Sequence, residues 1–117
     1  MTNEAFSATA WNNGQWHASG AGYGLKLAVA DRDRFFRRDW RSVTLRLVDE
    51  SGSVDVEVNC AKDSFWNGTC RELIGREIGR WFLDLGLAPW RTGRPPRFNL
   101  TPVEPGVFRV EPRANAV

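Results

Sequence analysis

The sequence predicts a small α+β domain, in which a curved antiparallel sheet or small barrel carries one long amphipathic helix and one short helix. Two adjacent stretches, 43–47 and 54–60, alternate apolar with polar residues, as half-buried strands do. Apolar residues then recur at helical spacing between about 69 and 85, and another pair of alternating runs follows. Strand pairs joined by turns, with one long helix between them, predict a mixed fold rather than a helical bundle or a sandwich.

The N-terminal third predicts strands and the short helix. Asn13-Gly14, between Trp11 and Trp16, is a hairpin turn signal that suggests two N-terminal strands. From Tyr23 onward, apolar and polar residues alternate and predict a further strand. Asp31 is the expected N-cap of the short helix, about 32–38, which carries Phe35 and Phe36 inward.

The central stretches predict an antiparallel hairpin with one buried face. Val43 begins the first alternating run, Val54 begins the second, and a turn-like segment, 49–53, separates them. The acidic residues of the second run fall on its outward face. A solvated strand edge explains them better than a cation site does.

The long helix is predicted at about 69–85. Thr69 to Glu72 has the form of a capping box, and Gly86 stands where a helix C-terminal glycine belongs. Gly75 and Gly79 each cost up to about 1 kcal/mol of helix propensity relative to alanine, which indicates that another backbone passes close by. The helix charges are spaced for mutual pairing, as on a solvated face. A second strand pair then turns at Pro105-Gly106.

Length and composition predict a single domain, 1–117, with frayed ends at about 1–5 and 111–117. The chain shows no secretory signal pattern and no apolar run of membrane-spanning length, so a cytoplasmic protein without membrane partners is expected. Its basic residues are fourteen arginines and two lysines, a bias typical of GC-rich, bacterial coding sequences.

No catalytic or cofactor chemistry is predicted. His17 is the only histidine, and no nucleophile and base can be assembled around it, so a non-enzymatic protein is expected. Cys60 and Cys70 occupy inward positions and are interpreted as core thiols, with a disulfide or redox pair as the alternative. No metal site or cofactor is expected.

Two basic segments interleaved with aromatic residues, 32–41 and 91–97, are the candidate site of a nucleic-acid-binding or regulatory module. Residues 86–97 contain three arginines and no acid on a proline-stiffened loop, although the net charge is only +2. Arginines bind phosphates bidentately, and exposed aromatics stack on bases, so DNA or RNA is the expected partner. The tentative contacts are Arg32, Arg34, Arg37, Arg38, Arg41, Arg91, Arg94 and Arg97.

Two other interpretations of these segments remain open. The aromatics could be core anchors, with the arginines simply solubilising the rim. Alternatively, Trp90 and neighbouring arginines could form the centre of a protein–protein or homodimer interface, since these residue types dominate interface energetics.

The element order resembles the DNA-binding pseudobarrel of plant transcription-factor domains and of restriction-endonuclease effector domains. The residues that carry the resemblance span roughly 22–110 and include Gly22 to Leu27, Val43 to Leu47, Val54 to Val56, Phe98 to Leu100 and Phe108 to Val110. The resemblance implies a barrel that grips a DNA major groove with two arms. It assigns no individual site residue.

Overall fold

In the part of the chain that the structure describes, seven strands form one nearly closed, barrel-like sheet, and three helices cover its ends. The computed structural model describes residues 4–68 and 71–113. The strands are β1 (Phe6–Asn12), β2 (Tyr23–Leu27), β3 (Ser42–Asp49), β4 (Gly52–Asn59), β5 (Glu72–Ile74), β6 (Arg97–Glu104) and β7 (Val107–Pro112). The helices are α1 (Val29–Phe35), α2 (Asp63–Trp66) and α3 (Arg76–Asp84). The predicted α+β class is confirmed.

The sheet has the order β4-β3-β7-β6-β1-β2-β5, and its pairs are antiparallel except for the parallel pair β3/β7. The two outer strands, β4 and β5, approach each other. A Cβ added to Gly75, directly after β5, would lie 3.4 Å from Cγ1 of Val58 on β4. This nearly closed sheet is compatible with the predicted pseudobarrel.

The strand directions divide the connections between two ends of the barrel. Asn12 pairs with Tyr23, and Arg97 pairs with Thr9, so the loops 13–22 and 85–96 lie at the same end. Helix α3 covers this end, which we call the α3 end. The opposite end, the α1 end, carries α1, α2 and the β6–β7 turn.

Each end is filled by its own aromatic cluster. Under α3, the rings of Phe82 and Phe98 stack with centroids 5.0 Å apart. At the α1 end, Phe36 stacks on Phe108 at 4.9 Å. Buried aromatic rings contribute large apolar areas, so a few of them close both ends of a small barrel.

The two predicted strand pairs are confirmed. Val43 of β3 lies opposite Val58 of β4, and the alternating apolar residues Val43, Leu45, Leu47, Val56 and Val58 are buried on the inner face. Val54, at the turn end of β4, is 53% exposed. Strands β6 and β7 meet at the predicted turn, where Gly106 has a φ of +79°. Such a φ is what a glycine in a type II turn supplies.

The long helix predicted over about 69–85 is wrong, because the described part of that segment is a strand followed by a shorter helix. Leu73 pairs with Leu25, and the backbone N–H of Gly75 donates to Tyr23 O at 3.2 Å. Pairing with the open edge of β2 therefore overrides the helical pattern. Ile74, one of the apolar residues at helical spacing that the prediction would bury, is exposed instead. Thr69 and Cys70 of the predicted cap lie outside the described residues.

The predicted end of the helix is confirmed. Gly86 has a φ of +72°, its N–H donates to Leu83 O, and the N–H of Leu87 donates to Phe82 O. These two bonds define a Schellman motif, in which glycine relieves the steric cost of the left-handed conformation.

The short helix lies three residues earlier than predicted, at Val29–Phe35 rather than 32–38. Ala28 is its N-cap and makes no side-chain cap bond, while Asp31 lies in the first turn, where a negative charge interacts favourably with the helix dipole. The turn at Asn13-Gly14 does not lead directly into a returning strand, since β2 begins at Tyr23. Trp16 therefore lies in the long loop that joins the antiparallel strands β1 and β2, and not in a strand.

Candidate functional site

The α3 end carries an open groove lined by tryptophans. It has a volume of about 400 Å³, within the range of about 300–1,000 Å³ that is usual for ligand pockets. We call it the tryptophan groove; its lining residues are Ala10, Trp11, Asn12, Gly14, Trp16, Trp90, Thr92, Gly93 and Pro95. None of these side chains is charged. The groove thus lies between the loop 13–22 and the predicted basic loop.

Close backbone packing holds the loop 13–22 against α3. A Cβ added to Gly79 would overlap the carbonyl oxygen of Gly20 and lie 2.6 Å from Gly20 Cα. The sequence predicted such a close approach from the helix glycines, and at Gly79 this is confirmed. The N–H of Asn13 also donates to Gly22 O at 2.9 Å, which closes the base of the loop.

Aromatic contacts join the two walls of the tryptophan groove. Trp16 meets Trp90 in a T-shaped contact with centroids 4.8 Å apart and planes at 87°. Both rings also pack on Tyr23, at 5.9 Å and 6.2 Å respectively. Trp16 nevertheless remains 46% exposed, the most exposed of the six tryptophans. The groove therefore presents part of an indole surface to solvent above a packed aromatic base.

Tyr23 forms that base and is fully buried. Burial raises the pKa of its phenol above the ordinary value, so the hydroxyl is neutral at physiological pH. Its Oη has no hydrogen-bond partner within residues 4–68 and 71–113. A buried hydroxyl without a partner is unusual and costs free energy.

A turn brings two arginines together at the rim of the groove. The N–H of Arg94 donates to Arg91 O at 2.9 Å, and Gly93 between them has a φ of +79°. This is the geometry of a type II turn, whose end residues have Cα atoms less than about 7 Å apart. Both side chains are exposed, and neither has an ion-pair or hydrogen-bond partner among the described residues.

Arg97 extends the same rim along the outer face of the sheet. It pairs with Thr9, so Trp11, two residues further along β1, is its diagonal neighbour on the same face. The N–H of Ala10 donates to Pro96 O at 2.9 Å and fixes the loop in this position. Phe98, the next residue, is fully buried and anchors the loop in the core.

The other predicted contact arginines lie at the α1 end and are mostly engaged within the fold. The clearest case is Arg32, which is only 5% exposed. Its guanidinium donates to Phe65 O at 2.6 Å and to Asp33 Oδ1, and it lies 5.4 Å from the Trp66 ring centroid. Arg32 therefore has a structural role, and its guanidinium is not presented to solvent.

Three further arginines at this end also have partners. Arg34 forms an ion pair with Glu4, and Arg37 forms one with Asp39 at 3.0 Å. Arg38 lies over the Trp66 ring at 5.4 Å. Arg41 is exposed and unpaired within the described chain, so it is the exception at this end.

The two basic segments do not share one face. Residues 32–41 connect the end of β2 to the start of β3, whereas residues 91–97 lead into the start of β6. Strand pairing places these connections at opposite ends of the barrel. Any site on the basic loop is therefore built with the tryptophan groove and not with residues 32–41.

Other residues singled out in the sequence lie in the core, across the β3/β4 hairpin or on the surface. Cys60 is a buried free thiol, and burial raises its pKa to about 11, so it is an inert core thiol. Cys70 lies outside the described residues. Asp55 pairs with Arg46 across the hairpin at 2.9 Å, which lowers the pKa of the carboxyl. His17 is exposed.

No group of three or more potential metal ligands occurs within residues 4–68 and 71–113. A second groove, of about 490 Å³, lies at the α1 end between Trp40 and the β6–β7 turn. Its lining is largely apolar, with Glu104 as its one charged member. None of the helices in the described chain is long and apolar enough to cross a membrane.

The sequence pointed to the basic loop but missed its partner surface. Trp11 and Trp16 were placed on a predicted hairpin rather than beside Trp90. Gly93, two residues after Arg91, was the available signal for the turn that brings the arginines together.

Comparisons with protein-family models, with curated proteins and with solved structures gave no match.

Proposed function

We propose that this protein is a small, non-enzymatic nucleic-acid-binding module whose site is the basic loop at the α3 end. The observation that carries the proposal is the pair Arg91 and Arg94, which a type II turn brings together without internal partners. Unpaired guanidiniums retain their full capacity for bidentate bonds to phosphate. Arg97 supplies a third exposed cation on the same rim.

The surroundings of these arginines support phosphate binding. Residues 86–97 contain no acidic residue that would repel a phosphate. The loop is held at both ends, by Phe98 in the core and by the bond from Ala10 to Pro96 O, so little ordering is required on binding. The resemblance to a DNA-binding pseudobarrel agrees with this proposal, although here one end of the barrel carries the site.

The proposal predicts salt-dependent binding. Neutralising two or three phosphates releases counterions and gives a slope of log K against log salt of roughly −2 to −3. In the variant Arg91→Ala/Arg94→Ala, we expect at least a tenfold rise in Kd for a labelled oligonucleotide and a slope reduced by about 2. Fluorescence anisotropy over a salt series measures both quantities.

The matched control is Arg37→Ala/Arg41→Ala, which removes the same charge from exposed arginines at the α1 end. We expect its Kd to stay close to that of the unmodified protein, and the thermal transitions of both variants to be nearly unchanged. Equal losses in the two variants would contradict a site confined to the α3 end. Absence of binding to DNA and RNA, single-stranded and duplex, at low salt would refute the proposal.

Association with a protein is the second candidate, and the apolar groove near Trp40 is the observation that favours it. Val103 in this groove is 41% exposed. Light scattering over a concentration series tests the homodimer form, and a monomer at every concentration would exclude it.

A further inference from the structure

We propose that the tryptophan groove accepts one unpaired nucleobase, so that the protein prefers single-stranded over duplex nucleic acid. This inference rests on the proposed function and identifies the class of nucleic acid that its site would bind. It depends on the lining of the groove, the free surface of Trp16 and the position of the arginine rim.

The lining offers flat apolar surfaces and no charged group. Trp11, Trp16 and Trp90 supply indole rings, and Pro95 supplies an apolar edge. Asn12 is already engaged, since its Nδ2 donates to Gln15 O and its Oδ1 accepts from the Gly14 N–H. Three indole rings in an uncharged lining would hold a base chiefly by stacking, which makes binding tolerant of base identity.

Trp16 has a surface free for stacking. The rings of Trp90, in a T-shaped contact, and of Tyr23, in a tilted contact, cover only part of its indole. With 46% of the residue exposed, the structure leaves indole area that only solvent or a ligand covers. A base within a duplex is already stacked and paired, and extracting it costs a few kcal/mol. An unpaired base can stack on Trp16 without that cost.

The position of the arginines matches the same ligand. Arg91 and Arg94 flank the lining residues Thr92 and Gly93, so the cations stand next to the groove and not within it. A nucleotide with its base in the groove would place its phosphates at this rim. An apolar groove beside a cationic rim fits a nucleotide, in which a large flat base is joined to a phosphate. It fits an acidic peptide less well, because the side chains of Asp and Glu carry no large flat group.

The experiment compares four labelled ligands with the full-length chain by anisotropy. These are twelve-nucleotide oligothymidine, the corresponding oligouridine, a duplex of the same length, and a strand of abasic sites that keeps the phosphates. We expect the two single strands to bind at least fivefold more tightly than the duplex and the abasic strand. A difference between thymidine and uridine strands would show whether DNA or RNA is the preferred source.

Two substitutions localise the base. Trp16→Ala should weaken binding of the thymidine strand by about 5- to 140-fold, the range that stacking of one base supplies, and leave the salt slope unchanged. Trp16→Phe should keep most of the affinity but lose most of the quenching of intrinsic fluorescence by the oligonucleotide. Trp40→Phe, in the groove at the α1 end, is the matched control and should keep that quenching.

The outcomes separate the inference from the proposed function. Equal binding of the thymidine, abasic and duplex ligands, with salt dependence intact, would overturn the single-strand inference alone. Absence of salt-dependent binding to all four ligands would overturn the proposed function as well. Binding of polyglutamate as tight as that of the thymidine strand would show that the site takes an acidic polypeptide instead. The abasic strand needs no variant, so the test holds even if Trp16→Ala impairs folding.

Discussion

The two ends of the barrel use arginine in opposite ways. At the α1 end, Arg32 is buried against α2, and most of its neighbours pair with carboxylates or lie over an aromatic ring. At the α3 end, Arg91, Arg94 and Arg97 are exposed and have no partner in the described ranges, 4–68 and 71–113. Both segments look alike in sequence, since each interleaves arginine with aromatics. Acidic neighbours explain part of the difference, because Asp33 and Asp39 pair with Arg32 and Arg37 whereas residues 86–97 have no acid.

The difference teaches that a basic aromatic segment is a binding candidate only when the fold leaves its charges unused. An arginine that already donates to a carbonyl or carboxylate must break that bond before it can bind phosphate. An unpaired, exposed arginine has no such bond to lose. Three sets of variants test the contacts that distinguish the two ends of the barrel.

The largest expected effect is on the free energy of unfolding, which should fall far more in Arg32→Ala than in Arg94→Ala. Loss of Arg32 leaves Phe65 O without its buried donor and opens space beside Trp66, so we expect a loss of about 2–4 kcal/mol in the free energy of unfolding. Arg94→Ala should change stability by less than about 0.5 kcal/mol. Urea unfolding followed by circular dichroism measures both. Similar stabilities for the two variants would break the comparison.

The second largest effect concerns the close packing of Gly79 on Gly20, which holds the loop 13–22 as one wall of the tryptophan groove. Alanine normally stabilises a helix interior relative to glycine, but at position 79 its Cβ would overlap Gly20. We therefore expect Gly79→Ala to destabilise the protein by about 1–3 kcal/mol. Gly75→Ala is the control, because its Cβ would lie 3.4 Å from Val58 and requires only a small adjustment. A stabilising Gly79→Ala would show that the loop 13–22 is not packed on α3 as described.

The smallest expected effect is on stability in alkaline solution, where the buried thiol of Cys60 at the α1 end and the buried phenol of Tyr23 at the α3 end lose their protons. Burial raises the pKa of Cys60 from 9.0 to about 11, and burial also raises the pKa of Tyr23 above 10.0. The unfolded chain releases these protons at lower pH than the folded chain, so stability is complete below the ordinary pKa and falls as pH rises towards the raised value. For Cys60 this loss begins near pH 9 and reaches about 1 kcal/mol by pH 10.

Urea unfolding between pH 8 and 11 measures this loss, in a Cys70→Ser background where Cys60 is the only thiol. Adding Cys60→Ala should remove the decline that begins near pH 9 and keep the decline above pH 10 that Tyr23 causes. An unchanged decline from pH 9 in that variant would contradict a buried, protonated Cys60.

The sequence by itself determined the elements whose partners are close along the chain. The β3/β4 hairpin, the turn at Gly106 and the glycine stop at Gly86 depend on alternation and on local backbone requirements, so they were predicted correctly. The sequence also indicates that the arginines of residues 86–97 lack local partners, because this segment contains no acidic residue.

Only the tertiary structure decided the elements whose partners are distant in sequence. Residues 72–74 have a helical pattern, yet they form β5 because the edge of β2 offers backbone hydrogen bonds that a local pattern does not reveal. Arg32 is buried because α2 supplies a carbonyl acceptor thirty-three residues away. The tryptophan groove likewise exists because chain folding brings Trp16 against Trp90. Long-range packing, which periodicity does not encode, built the site on which the proposed function rests.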